Sequence, residues 1–116
     1  MSADKIILKS DEYLLREGEE STTMYFLQSG TLAVLKRQGD VEKQIGTIYS
    51  GEVVGEMSFL DNEPRSASIR AMKESELLVI PLQKFEKVFK SQPVWYKALI
   101  TTLLERLRKA NTRIRV

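Results

Sequence analysis

Glycine punctuates the chain as far as Pro81. Gly18, Gly30, Gly39, Gly46 and Gly51 fall between or within short apolar or alternating runs at residues 24–27, 31–35, 44–48, 66–69 and 77–80. Runs of that length separated by turn residues are the pattern of an all-β barrel or sandwich with antiparallel neighbours. Ser29-Gly30 and Gly39-Asp40 read as hairpin turns, because glycine reaches positive φ without steric cost. No stretch before Pro81 supports a long helix, so the sheet is expected to close largely on itself and to be covered from the C-terminal side.

After Pro81 the period changes. Leu82, Phe85, Val88 and Phe89 recur at helical spacing until Pro93 interrupts them, which predicts a short amphipathic helix within 82–92. Pro93 suits the first turn of a second helix, expected over 93–116. On it Tyr96, Ile100, Leu103, Leu107, Ala110 and Ile114 form a heptad-like strip, with Trp95 and Leu99 as a second apolar strip beside it. One strip can close over the barrel. The other, through Ile100, Leu103, Leu107 and Ile114, is expected to pair with a second copy in a homodimer.

The remaining composition narrows function mainly by exclusion. A chain of 116 residues, 42% hydrophobic and 29% charged, fits one domain. It holds no cysteine and no histidine, which removes disulfides, thiolate chemistry and the commonest metal ligand and general base. The carboxylates, lysines and hydroxyls that remain fall into no spacing that demands a nucleophile or a metal, so neither an enzyme nor a cofactor or metal site is expected. No apolar run approaches a membrane span and the N-terminus lacks a secretory signal, so a cytoplasmic location is expected. Basic residues gather at the C-terminus, where Arg106, Arg108, Lys109, Arg113 and Arg115 face Glu105 alone. Cations there complement a helix dipole, and nucleic-acid contact is the less favoured explanation.

The most informative segment is GEMSFLDNEPRSASIRA, residues 55–71. Gly55 permits an unusual backbone angle or a close approach. Glu56, Met57, Ser58, Phe59 and Leu60 can then make one helical turn whose amide N–H groups meet an anion. Arg65 supplies paired donors for phosphate oxygens. A carboxylate beside an anion is repelled by it, so Glu56 is better read as an acceptor for a sugar hydroxyl. The competing account is a surface loop in which Asp61 or Glu63 pairs with Arg65 and Gly55 merely turns the chain.

The spacing of Gly55, Glu56, Arg65, Ser66 and Ala67 resembles the phosphate-binding cassette of the cyclic nucleotide-binding domain family. So do Glu17-Gly18-Glu19, residues 24–27 followed by Gly30, and Gly51 four positions before Gly55. The resemblance implies an eight-stranded antiparallel, jelly-roll-like β-roll with a short phosphate-binding helix and a C-terminal lid or dimer helix. It further implies Glu56 on the ribose 2′-hydroxyl and Arg65 on the cyclic phosphate. The lid helix is similar to the dimer helix of the bacterial activators in the family, which makes Asn111 and Thr112 candidates for touching the base. Ser66 can donate to the phosphate, and can also bond the guanine amino group of a syn ligand, so the residue alone does not decide between purines; the R-S-A form is that of the cAMP-binding bacterial members, so cAMP is expected before cGMP. The resulting expectation is a stand-alone cyclic nucleotide sensor over 1–116, with the roll at 1–81, that signals through its C-terminal helix to a separate protein or to parts outside this sequence. The alternative is a ligand-free interaction or dimerisation module on the same fold.

Overall fold

The computed structural model describes residues 4–20, 22–56 and 63–110. Among the described residues eight strands precede two helices: β1 (Asp4–Leu8), β2 (Tyr13–Leu15), β3 (Thr23–Ser29), β4 (Thr31–Gln38), β5 (Val41–Tyr49), β6 (Val53–Val54), β7 (Ser68–Ala71), β8 (Ser75–Pro81), α1 (Leu82–Lys90) and α2 (Val94–Ala110). They form two four-stranded sheets in the orders β1-β8-β3-β6 and β2-β7-β4-β5, with every pairing antiparallel. The glycine-punctuated pattern anticipated antiparallel β structure, and its arrangement as a roll is the one the family resemblance implied.

Strand alternation directs one face of each sheet to a shared core. Leu27 and Leu77 from the first sheet meet Leu32 and Ile69 from the second, and all four are fully buried. Side chains of this size contribute about 1.5–3 kcal/mol each on burial. Ile45 is the additional residue of a bulge, since Val34 pairs with Gly46 and Leu35 with Gln44, and it leans against the same core.

The two expected hairpins part company here. Gly39-Asp40 does join paired strands, β4 and β5, with φ of 64° at Gly39. Ser29-Gly30 does not, because β3 and β4 belong to different sheets and the chain crosses between them at Gly30. A Cβ at Gly30 would lie 2.1 Å from Ser75 Oγ and 2.6 Å from Ser75 Cα. Close approach, more than turn type, is therefore the reason for glycine at the crossing.

Helix α1 starts directly after Pro81, and Lys87 and Lys90 sit in its last turn, where cations complement the dipole. Phe85 and Phe89 stack one turn apart, with centroids 5.8 Å from each other. Proline cannot donate to continue α1, and α2 begins instead with Lys97 N–H bonding the Pro93 carbonyl at 3.0 Å. No helix among the described residues is long and apolar enough to cross a membrane.

Candidate functional site

The site is assembled around the backbone of Arg65. The Glu17-Gly18-Glu19 turn after β2 grips it from one side: Gly18 N–H donates to the Arg65 carbonyl at 2.7 Å, and Arg65 N–H donates to the Glu19 carbonyl at 2.8 Å. The side chain then runs inward to 6% exposure, and Nη2 donates to the Thr23 carbonyl at the start of β3, at 2.6 Å. Burial works against the guanidinium's charge, and the surroundings of Tyr25, Glu19 and Glu56 work in its favour.

Gly55 is what admits the guanidinium. Its φ is 88°, and a Cβ there would lie 2.6 Å from Arg65 Nη1 and 3.0 Å from the Thr23 carbonyl oxygen. Any side chain at this position would meet both strain and a clash. Glycine and arginine, ten residues apart in sequence, thus form one physical unit.

Glu56 follows directly and is partly buried. Burial raises its carboxyl above the ordinary value, against opposing hydrogen bonds from its own N–H and that of Gly55 and the charge of Arg65. Its Oε2 is buried with no hydrogen-bond partner among the described residues. It borders an otherwise apolar cavity of about 240 Å³ formed by Met24, Val53, Ile80, Phe85, Ile100 and Leu104. A buried acceptor left without a donor is costly, by about 1–3 kcal/mol, so this atom is suited to a donor brought in from outside.

Ala67 is fully buried in the core and Ser66 is partly buried. The Ser66 carbonyl accepts a hydrogen bond from Lys36 Nζ, and Lys36 in turn pairs with Glu17 at 3.2 Å. Met57, Ser58, Asn111 and Thr112 lie outside the described residues, as does Ile114. The structure thus brings Gly55, Glu56 and Arg65 together and sets Ser66 and Ala67 on the exit to β7. Lys36 and Thr23 are contributors that sequence reasoning did not identify. Thr23 acts through its carbonyl, which leaves no side-chain signal, whereas Lys36 stands out only as a cation closing an apolar strand.

The two strips of α2 are distributed differently from the expectation. Ile100 lines the cavity together with Leu104, and Leu107 is partly buried, so these residues lie toward the roll. Trp95, Tyr96, Leu99 and Leu103 are exposed, at 69%, 40%, 48% and 51%. Leu104, at one turn from Ile100, completes the inward strip, and Leu103 belongs with Leu99 on the outer one.

A two-sheet roll with a buried arginine seated against a positive-φ glycine, next to a carboxylate oxygen that has no hydrogen-bond partner among the described residues, is the arrangement the family comparison explains. The chain belongs to the cyclic nucleotide-binding domain family, whose model matches residues 5–92. It is 31% identical over 101 residues to the human potassium/sodium hyperpolarization-activated cyclic nucleotide-gated channel 4, an alignment that takes in 87% of this chain and 8% of the channel's length. Among solved structures, the halfsite-occupied form of the EAL enzyme Bd1971 superposes with a TM-score of 0.82 at 26% identity, over 95% of this chain and 99% of that one. The same enzyme has been solved in cAMP-bound and cGMP-bound forms, with TM-scores of 0.75 and 0.78. The catabolite activator protein of Thermus thermophilus gives 0.77 at 26% identity, over 95% of this chain and 52% of the activator.

Proposed function

We propose that this chain is a regulatory module that binds cAMP in preference to cGMP through the cassette at 55–67 and signals through α2. The observation that carries the reading is the Gly55, Arg65 and Thr23 unit with the Oε2 of Glu56, which has no hydrogen-bond partner among the described residues, beside it. In this reading the Thr23 bond orients the guanidinium fork for the cyclic phosphate, and Glu56 accepts from the ribose 2′-hydroxyl. Met57 and Ser58 contribute amide donors, Ser66 donates its hydroxyl, Ala67 packs the cassette onto the core, and Asn111 and Thr112 reach the base. The Ser66 form of the cassette favours cAMP. A solved relative that accommodates both nucleotides is the reason to test the two side by side. The module does its work by binding, without catalysis, in the cytoplasm, and passes its signal on through α2.

Transmission follows from the cavity. Glu56 and two residues of α2, Ile100 and Leu104, share its wall, so a ligand that re-orients Glu56 has different affinities for different placements of the helix. We further infer that the exposed strip of Leu99 and Leu103 pairs two copies. Calorimetry with cAMP and cGMP tests the reading: saturable binding with cAMP tighter is expected, and absence of heat from both at millimolar concentration overturns it.

A further inference from the structure

The stretch between Arg65 and β7 precedes the sheet ladder at the cassette's exit. Arg65 is fixed on both backbone groups by the Glu17-Gly18-Glu19 turn, and ladder pairing with β4 begins only at Ser68, opposite Leu35. The Ser66–Ala67 peptide lies between these two anchors, with no sheet register to set its direction. Its carbonyl is held by Lys36 Nζ. Because a trans peptide is planar, fixing the carbonyl on the Lys36 side turns the Ala67 N–H to the opposite side.

Lys36 is itself confined. Its ammonium pairs with Glu17 Oε2 at 3.2 Å, and Glu17 is tied down through Oε1 to the Arg37 N–H at 3.1 Å and through its own N–H to Ser68 Oγ at 2.8 Å. Across the sheet its register partner on β5 is Lys43, a like charge that disfavours any swing in that direction. The Arg37 N–H, followed by Lys36, holds the Glu17 carboxyl below the ordinary value, so Glu17 is a carboxylate at neutral pH.

We infer that Lys36, anchored by Glu17, is a positioning residue for the nucleotide site, fixing the direction of the Ser66–Ala67 peptide so that it presents its N–H to the ligand phosphate. The inference rests on the cyclic-nucleotide reading above and adds to it a residue outside the cassette.

The test compares Lys36→Met, Lys36→Arg and Glu17→Gln with the control Lys43→Met, which removes a nearby cation of the same sheet without touching the carbonyl. Lys36→Met is expected to weaken cAMP about tenfold, a loss of the size a misplaced donor produces. Lys36→Arg is expected to recover most of that loss, Glu17→Gln to reproduce part of it, and Lys43→Met to leave affinity unchanged. In the ligand-free protein the Ala67 amide resonance is expected to move in Lys36→Met and not in Lys43→Met, because a bond to the peptide carbonyl polarises that peptide's N–H. A static Ala67 resonance overturns the inference. So does wild-type cAMP affinity in Lys36→Met, or an equal loss in Lys43→Met, which would reduce the effect to long-range charge. Should Lys36→Met not fold, Glu17→Gln carries the affinity comparison, and wild-type binding by that variant is the overturning result. A wild-type chain that binds neither nucleotide refutes the reading of the cassette itself and takes this inference with it, an outcome distinct from normal binding that ignores Lys36.

Discussion

At residue scale, a substitution of Arg65 removes a structural bond together with the proposed ligand contact. The sequence suggests a side chain turned wholly to the ligand, so that its loss would spare the fold. The Thr23 bond and the 6% exposure show that the guanidinium also ties the cassette to β3. Arg65→Ala is therefore expected to weaken cAMP by about 2 kcal/mol or more and to lower ligand-free stability by about 1–3 kcal/mol, the cost of a buried carbonyl losing its donor. Calorimetry and thermal melts on the same preparation separate the two effects. An unchanged melting temperature would confine Arg65 to ligand binding.

Glu56 predicts the opposite sign. Its carboxyl is raised by burial, so the folded state takes up a proton more readily than the unfolded chain, and holding the charge costs stability once pH exceeds the folded value. Glu56→Gln is expected to raise the ligand-free melting temperature at pH 7, with the gain shrinking as pH falls towards the ordinary value of 4.5. A gain that stays constant with pH would detach it from ionisation. Loss of cAMP affinity should accompany the gain, and for Glu56→Ala it should be smaller with a 2′-deoxy analogue, which already lacks the proposed partner. These side chains were legible in the sequence because anion binding demands particular chemical groups at a particular spacing. Thr23 and the carbonyl of Ser66 were not, since a backbone carbonyl is common to every residue type.

Among the elements, α2 shows where periodicity stops short. Heptad-like spacing marks the helix as apolar on more than one side, but Ile100 and Leu103 fall only about 60° apart on the wheel, and only the partner surface decides which is covered. Here the roll takes Ile100 and Leu104, leaving Leu99 and Leu103 outward. Leu99→Lys with Leu103→Lys is accordingly expected to convert a dimer to monomer in light scattering with the roll intact, because charges buried at a symmetric seam are costly. A wild type that is monomeric at micromolar concentration, with and without cAMP, removes the seam. The same limit applies to strands. The lengths and turns of the runs up to Pro81 announced antiparallel β structure, yet a glycine between two runs has one appearance whether it closes a hairpin, as Gly39 does, or carries the chain to another sheet, as Gly30 does.

For the whole molecule, ligand and fold are linked by mass action. A nucleotide that binds only the folded chain stabilises it by about 2.7 kcal/mol at a hundredfold excess over Kd. For a domain of this size that corresponds to a rise of about 10 °C in melting temperature. cAMP is expected to give the larger rise and cGMP the smaller. Flat melting curves with both would leave the roll as a scaffold for protein contact alone.

The crossing at Gly30 also sets how this molecule can change over generations. Gly39 has no atom within 4 Å of a would-be Cβ, so asparagine or aspartate can inherit its turn. At position 30 the obstacle is the backbone of Ser75 as well as its hydroxyl, and Ser75 Oγ is already committed to the Lys73 carbonyl and the Thr31 N–H. The two positions read alike in sequence, yet one is a dial and the other a rivet. A library randomised at both and selected for folded protein should return several letters at 39 and one at 30.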